Sequence, residues 1–528
     1  MYVIRVFVPQ LVHLTPAFPC CLKVVEEEQK IRVMDGPWSP EEVIREVVEG
    51  GLQEDPFYVM DLGEVVARYR RWKELMPRVE PFYAVKCNDD KLLVSTLAAL
   101  GAGFDCASKA EIELVTSLGV APESVTLTYL QTPIINIDKI VWLHPNEAPQ
   151  HISVLLLLLV LCTRFAPSPL SGTHITLYVY VRRRIIFANP AKMASHIRYA
   201  SAVGVDVMTF DSETELIKIK QYMPHAQLVV RIRCDAAAAQ CPLGIKFGCD
   251  PASEAPRLLK LAAVLGLDVV GVSFHVGSGA GEAAVYARGV QYCRALFALA
   301  AELGHRMRLL DIGGGFPGGS HSDIREVAAV VGAALDEHFP GGGVRVVAEP
   351  GRYFAAAAYT LATMVHATRE DATHTMYFIN DGVYGSFNCV LYDHQQVVAE
   401  PLPAPSPALA CSVWGPTCDG LDCVLPRARL PRLAAGDWLL FRDMGAYTLP
   451  VASPFNGFPV PKVKPVVDRR LWSMLKELAP LAQAEWAPYS PADSPSPSSS
   501  SSAAASPSPS PTPSPATAAP VFVECALK

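Results

Sequence analysis

"RLLDIGGGFPGG", residues 308–319, is the stretch from which the fold can be read. A run of apolar strand formers (308–313) breaks into Gly313, Gly314 and Gly315. Three glycines after a buried strand mark a loop whose backbone comes close to something. The next apolar run, "VRVVAE" (344–349), ends in Glu349 and opens into "PGRYF", with Gly351 and Arg352. Backbone N–H groups in two successive loops, with a guanidinium beside them, suit a phosphate.

Six similar runs lie upstream: "PFYAVK" (81–86), "AGFDC" (102–106), "RIIFANP" (184–190), "GVDVMTF" (204–210), "QLVVRIR" (227–233) and "VVGVSFH" (269–275). Between most of them apolar residues recur at i, i+3 and i+4, as in 111–119, 213–223 and 326–339. Ser108 with Glu111, and Ser212 with Glu215, predict capping boxes at two helix starts. Near-continuous apolar strands imply parallel pairing buried on both faces, and eight strand–helix repeats close a barrel. The expected fold class is therefore α/β, a (β/α)8 barrel, with an open doubly wound sheet as the alternative. From about His366 to Val467 the helical period disappears and short β runs alternate with Gly/Pro turns, which predicts an all-β domain. The tail, 479–528, is Pro/Ser/Ala-rich and cannot bury enough to fold.

Polar residues collect at the C-terminal ends of the strands: Lys86, Asp105, Arg231, His275 and Glu349. That rim is where barrels carry their active sites, above all with a phosphate site after strands seven and eight. A lysine at a strand end ordinarily snorkels to water. Here it shares the rim with a carboxylate, an imidazole and a phosphate loop, the set that pyridoxal 5′-phosphate requires. The amine would hold the aldehyde as an imine, and Glu349 would keep the pyridine nitrogen protonated.

Composition narrows the alternatives. A net charge of −7 offers no basic surface for nucleic acid. The 14 cysteines are scattered without CxxC pairs or Cys/His clusters, which argues against zinc and for a reducing compartment, the cytoplasm. No metal is expected. The run "VLLLLLVLC" (154–162) is too short to span a bilayer, and the N-terminus has no convincing signal-peptide cleavage site. The terminal "CALK" has the outline of a prenylation box at Cys525, but lysine is a poor last residue for one.

Longer strings carry a resemblance. "PFYAVKCND", "GFDCASKAEIELV", "VVGVSFHVGSG", "LLDIGGGFPGG", "VVAEPGRYF", "NDGVYGSFNCVLYDH", "WGPTCDGLDCV", "GDWLLFRDMGAYT" and "SPFNGF" occur in order between Pro56 and Phe458. This region resembles the eukaryotic ornithine decarboxylases. The resemblance implies a barrel that binds pyridoxal 5′-phosphate over 56–357 and a β domain over 358–475, to which 36–55 contributes. It implies Lys86 as the cofactor lysine, Glu349 on the pyridinium, and His275 stacked on the ring. Asp105, Glu111 and Arg231 would support the site, and Ser278, Gly314, Gly315, Gly351, Arg352 and Tyr447 would lie around the phosphate. Tyr392, Asp393 and Asp419 would meet the distal amine of L-ornithine, and Cys418 would deliver a proton after CO2 is lost, reaching the site from the other subunit of a homodimer. A lysine, arginine or diaminopimelate decarboxylase on the same scaffold is a second reading. A non-catalytic relative that binds the regulatory protein antizyme is a third, disfavoured because Lys86, Glu349, Arg352, Cys418 and Asp419 are all present.

Two segments depart from this pattern. Strands two and three of the series are separated by far more chain than the others, and the excess is roughly Val125 to Arg183. It has no clean helical or strand period, so it reads as a translated intron first, a surface insertion second and a membrane anchor third. Residues 1–35 are an equally atypical extension.

Overall fold

The computed structural model describes residues 2–7, 31–132, 139–143, 174–237, 239–371, 374–402 and 407–478. Eight parallel strands form a closed barrel: β1 (Val79–Ala84), β2 (Gly103–Cys106), β3 (Ile185–Phe187), β4 (Val207–Phe210), β5 (Gln227–Arg233), β6 (Asp268–His275), β7 (Leu309–Asp311) and β8 (Arg345–Ala348). Closure is made by Val346 and Val347 of β8 opposite Val79 and Glu80 of β1. The open sheet is thereby excluded, and all eight expected strands are present.

One layer of side chains fills the barrel near its N-terminal end. Phe82, Ile186, Val207, Val229, Val270, Leu309 and Val347 come from seven of the strands and pack together. Gly103 of β2 makes room for them, since a Cβ there would stand 2.6 Å from the Phe82 ring. Each such side chain contributes roughly 1.5–3 kcal/mol by leaving water. This plug closes the interior and leaves the C-terminal mouth for chemistry.

The helices form largely where the apolar period places them, at Lys109–Ser117, Glu213–Tyr222 and Arg325–His338. The two predicted capping boxes form only in their forward half. Ser108 and Ser212 accept from the N–H groups of Glu111 and Glu215. The acids then turn elsewhere: Glu111 accepts from Ala107 N–H (2.8 Å), and Glu215 pairs with buried Lys192 (2.8 Å). A charged partner outweighs the N-cap N–H for Glu215. The complete box lies at Ser39–Glu42, opening the helix Pro40–Glu49.

A second, nine-stranded sheet flanks the barrel. Its main path runs Arg32–Met34, Lys462–Asp468, Phe57–Asp61, Tyr359–Glu370, Thr375–Ile379, Leu409–Trp414 and Cys423–Leu430, while Trp438–Phe441 and Glu400–Pro401 pair beside Tyr359–Glu370. Phe57–Asp61 pairs with Tyr359–Ala362 and with Lys462–Val466, so the sheet takes residues that the sequence reading gave to the barrel. Arg32–Met34, set apart with the extension, belongs to it as well.

The excess segment is also partly ordered, against expectation. Glu123–Thr132 and His174–Arg183 run antiparallel over ten residues, with Lys139–Leu143 on one edge and Tyr2–Phe7 on the other. Its ends are zipped: Glu123 faces Arg183, and Arg184 N–H donates to the Pro122 carbonyl (2.9 Å). The run 154–162, the rest of the N-terminal extension and the tail from 479 lie outside the described residues. Among the described residues no helix is long and apolar enough to cross a membrane.

Candidate active site

Strand β1 stops at Ala84, and Val85–Cys87 form a single 3-10 turn. Lys86 therefore sits just past the strand and not at its last position. The turn is fixed from behind. Tyr83 Oη donates to the Asn88 carbonyl (2.8 Å), Asn88 Nδ2 donates to the Gly445 carbonyl (2.9 Å), and Tyr447 N–H donates to the Cys87 carbonyl (2.9 Å). Lys86 Nζ meets the carboxylate of fully buried Asp105, while 38% of the lysine side chain remains accessible from the mouth. Burial alone would favour the neutral amine, but the charges of Asp105 and then Glu349 outweigh it and raise the pKa.

Glu349 follows β8 and is buried beside Asp311, the last residue of β7. Burial first, and then the Asp311 and Asp105 charges, hold the Glu349 carboxyl well above the ordinary range. Burial likewise raises Asp311, whose Oδ1 accepts from Gly313 N–H (2.9 Å). Arg231 balances these acids from β5, its guanidinium 5.1 Å from the Phe247 ring centroid.

His275 ends β6. Burial, with Arg231 and Lys86 nearby, lowers its pKa well below 6.5, so the imidazole is neutral. Nδ1 accepts from Gly277 N–H (3.0 Å), which leaves the proton on Nε2. The ring explains Gly314, where a Cβ would come within 2.7 Å of Nε2. Gly313 has φ +64°, and a Cβ there would stand 2.1 Å from the Phe274 carbonyl oxygen. The glycine run is thus required first by packing on the C-terminal end of β6. Glu111 is pushed up to about 7 by burial, although its bond from Ala107 N–H works in the opposite direction.

The second cluster surrounds Arg352. Its Nη2 donates to Ser278 Oγ (2.8 Å) and to both carboxylate oxygens of Asp393 (2.7 and 2.6 Å). The guanidinium lies 5.1 Å from the centroid of the Tyr447 ring, and its Nε is buried without a partner. Tyr447 takes φ +55°, an uncommon conformation for a tyrosine and held here by its bond to Cys87. Gly351 packs on the same turn, with space for a Cβ only 2.8 Å from that of Cys87.

Three expected residues are not gathered by a single chain. Tyr392 is 70% exposed, and Cys418 is exposed on a loop whose N–H donates to Asn456 Oδ1 (3.0 Å). Asp419 is held by Tyr384 Oη and by Leu421 N–H. Among the described residues no hydrogen bond joins them to the Lys86 cluster. Asp393, expected at the substrate amine, is instead paired with Arg352. Asp311 was not anticipated, although its place at a strand end follows the rule that found Glu349.

A lysine at the barrel mouth, an acid that can keep a ring nitrogen protonated, and a buried arginine with an unpartnered nitrogen together fit pyridoxal 5′-phosphate. The family model described as "Pyridoxal-dependent decarboxylase, pyridoxal binding domain" matches residues 62–141 and 150–356. The chain belongs to this family. Ornithine decarboxylase of Rattus norvegicus is 40% identical over 476 residues, covering 86% of this chain and 90% of that protein. Antizyme inhibitor 2 of Xenopus laevis is 42% identical over 456 residues, covering 83% and 86%. The solved arginine decarboxylase of Paramecium bursaria Chlorella virus, bound to agmatine, is 32% identical with a TM-score of 0.67, covering 80% of this chain and 100% of that one. This family member is a carboxy-lyase that uses pyridoxal 5′-phosphate and acts on a basic amino acid.

Proposed function

We propose that the chain decarboxylates L-ornithine to putrescine and CO2, a step of polyamine synthesis in the cytoplasm. The observation that carries this reading is the Lys86 ammonium paired with buried Asp105 at the barrel mouth, on the rim that also carries Glu349 and the Arg352–Ser278 pair. The bound cofactor supplies an aldehyde for the amine and a protonated ring that accepts the electrons left when CO2 departs. Lys86 Nζ would hold that aldehyde, and Asp105 is the carboxylate bonded to this nitrogen that could take its proton. Glu349 would face the ring nitrogen as the carboxylate whose charge keeps a proton there. Neutral His275 would offer a flat face for the ring, and Arg352, Ser278 and Tyr447 would hold the phosphate.

Asp393 and Asp419 would bind the distal ammonium by charge-assisted hydrogen bonds, and apolar amino acids would leave these acids unpaired. Cys418 Sγ would donate the proton to the substrate α-carbon. Its exposed position, among exposed Tyr392, Leu421, Phe455 and Phe458, supports delivery across a homodimer interface with two shared sites. The similarity to antizyme inhibitor 2 supports a second reading, a non-catalytic protein that binds antizyme.

CO2 release from ornithine, lysine and arginine separates these readings. Ornithine should be preferred, but only modestly over lysine, because one methylene discriminates by about 1–3 kcal/mol. Lys86→Ala should abolish both turnover and the visible absorbance of the cofactor imine. No release from any basic amino acid by cofactor-loaded protein would favour the non-catalytic reading.

A further inference from the structure

The ion pair between Asp393 and Arg352 joins two groups with different assignments. Arg352 is read above as a phosphate contact, and Asp393 as the contact for the distal ammonium of the substrate. The structure joins them directly, through two oxygens of one carboxylate at 2.7 and 2.6 Å. Both side chains are largely buried, 12% and 8% exposed, so this is an interior pair in which each charge depends on the other.

Arg352 makes its hydrogen bonds through one nitrogen, Nη2. The guanidinium carbon lies over the Tyr447 ring, and the nitrogen that holds Asp393 also holds Ser278 Oγ. A phosphate placed on that nitrogen would meet the Asp393 carboxylate on the same donor, with like charges in contact. At Nη2 the two anions exclude each other. The main chain at Asp393 is pinned: its N–H donates to the Cys389 carbonyl (3.1 Å), and its own carbonyl accepts from Gln240 Nε2. Exchange therefore needs only rotation of the Asp393 side chain, whose other neighbour is the weak donor Cys241 Sγ at 3.6 Å.

We propose that Asp393 is a latch on Arg352: the arriving phosphate displaces its carboxylate, and the released carboxylate becomes the acceptor for the distal ammonium. This rests on the reading of Arg352 as the phosphate contact. It makes anion binding and diamine recognition one coupled event. With no phosphate on Arg352, the acid that selects substrate is neutralised internally and offers little to a cation. With phosphate bound, the acid loses its guanidinium and requires a new positive partner.

The test uses the full chain purified free of cofactor, with inorganic phosphate and putrescine as calorimetric probes. Asp393→Asn is nearly isosteric and removes the competing charge. It should tighten phosphate binding about tenfold, the ratio that corresponds to 1.4 kcal/mol. In the unaltered chain, saturating phosphate should tighten putrescine binding, and putrescine should tighten phosphate by the same factor, because linkage is reciprocal. That coupling should vanish in Asp393→Asn. Unchanged or weaker phosphate binding by Asp393→Asn, while Arg352→Ala still loses phosphate, would overturn the latch and leave the phosphate seat standing. Independence of phosphate and putrescine in the unaltered chain would overturn the latch even if the variant folds poorly. Arg352→Ala with undiminished phosphate affinity would instead overturn the phosphate assignment beneath it.

Discussion

Removing Ser124–Arg182, so that Glu123 is joined directly to Arg183, should leave the barrel folded and active. Residues that face each other across an antiparallel pair have Cα atoms about 4.5–5.5 Å apart, against 3.8 Å across a peptide bond. The new bond thus asks for a shift of less than about 2 Å at one point. The contacts that seat the junction survive it. Arg183 keeps its bidentate pair with Asp206 (2.9 and 2.7 Å), Arg184 N–H keeps the Pro122 carbonyl, and Phe104 N–H keeps the Arg184 carbonyl. Closing a loop of roughly 60 residues costs on the order of 3 kcal/mol more than a direct join, because each doubling adds about 0.6 kcal/mol. The ten-residue pairing of the loop's own arms offsets part of that cost. The shortened chain should therefore gain between zero and about 3 kcal/mol in urea unfolding. Soluble yield should rise as well, since an apolar run such as 154–162 is an aggregation liability. The assays are urea unfolding and CO2 release from ornithine. A shortened chain that loses both fold and turnover, beside a soluble and active full-length chain, would show that the segment is integral to the barrel.

Two further outcomes are expected. Mixing inactive Lys86→Ala with inactive Cys418→Ala should restore about a quarter of full activity if subunits exchange at random, because half of the dimers then hold one intact site of two; demonstrated mixed dimers without turnover would place each site within one chain. Glu111→Gln should flatten the pH dependence of stability between about 4.5 and 7. The folded protein holds that proton up to about 7, whereas the unfolded chain releases it near 4.3, so the original protein loses stability as pH rises through this window, by roughly 1.4 kcal/mol per unit at most. Parallel urea curves for cofactor-free variant and parent across that range would refute the assignment.

What could be read in advance follows the range of the interactions. Barrel strands are local runs of apolar, often β-branched residues, and the rim rule places Lys86, Asp105, His275 and Glu349 from the sequence alone. The sequence pattern puts Lys86 one element early because the 3-10 turn depends on Asn88, whose partner Gly445 is 357 residues away. The capping boxes were half right because the pattern knows only the nearest N–H, and Lys192, a remote cation, had the stronger claim on Glu215. The pairing of Tyr2–Phe7 with His174–Arg183 has no local signature at all. Nor does the bond from Arg352 to Asp393, which joins an anion site and a cation site that separate motifs had kept apart.

The three bonds behind the Lys86 turn bear on how the chain could be divided. The match to the family's cofactor-binding domain ends at residue 356, yet Asn88 and Cys87 are bonded to Gly445 and Tyr447. A fragment cut at that boundary would keep the lysine and lose what aims it. Such a piece would have an unsupported turn, an Arg352 without its aromatic neighbour, and a sheet strand, Phe57–Asp61, left without its pairing partners on either side. The two sheets should accordingly melt as one cooperative unit, and the cofactor site should have no independent evolutionary or experimental life as a detachable module.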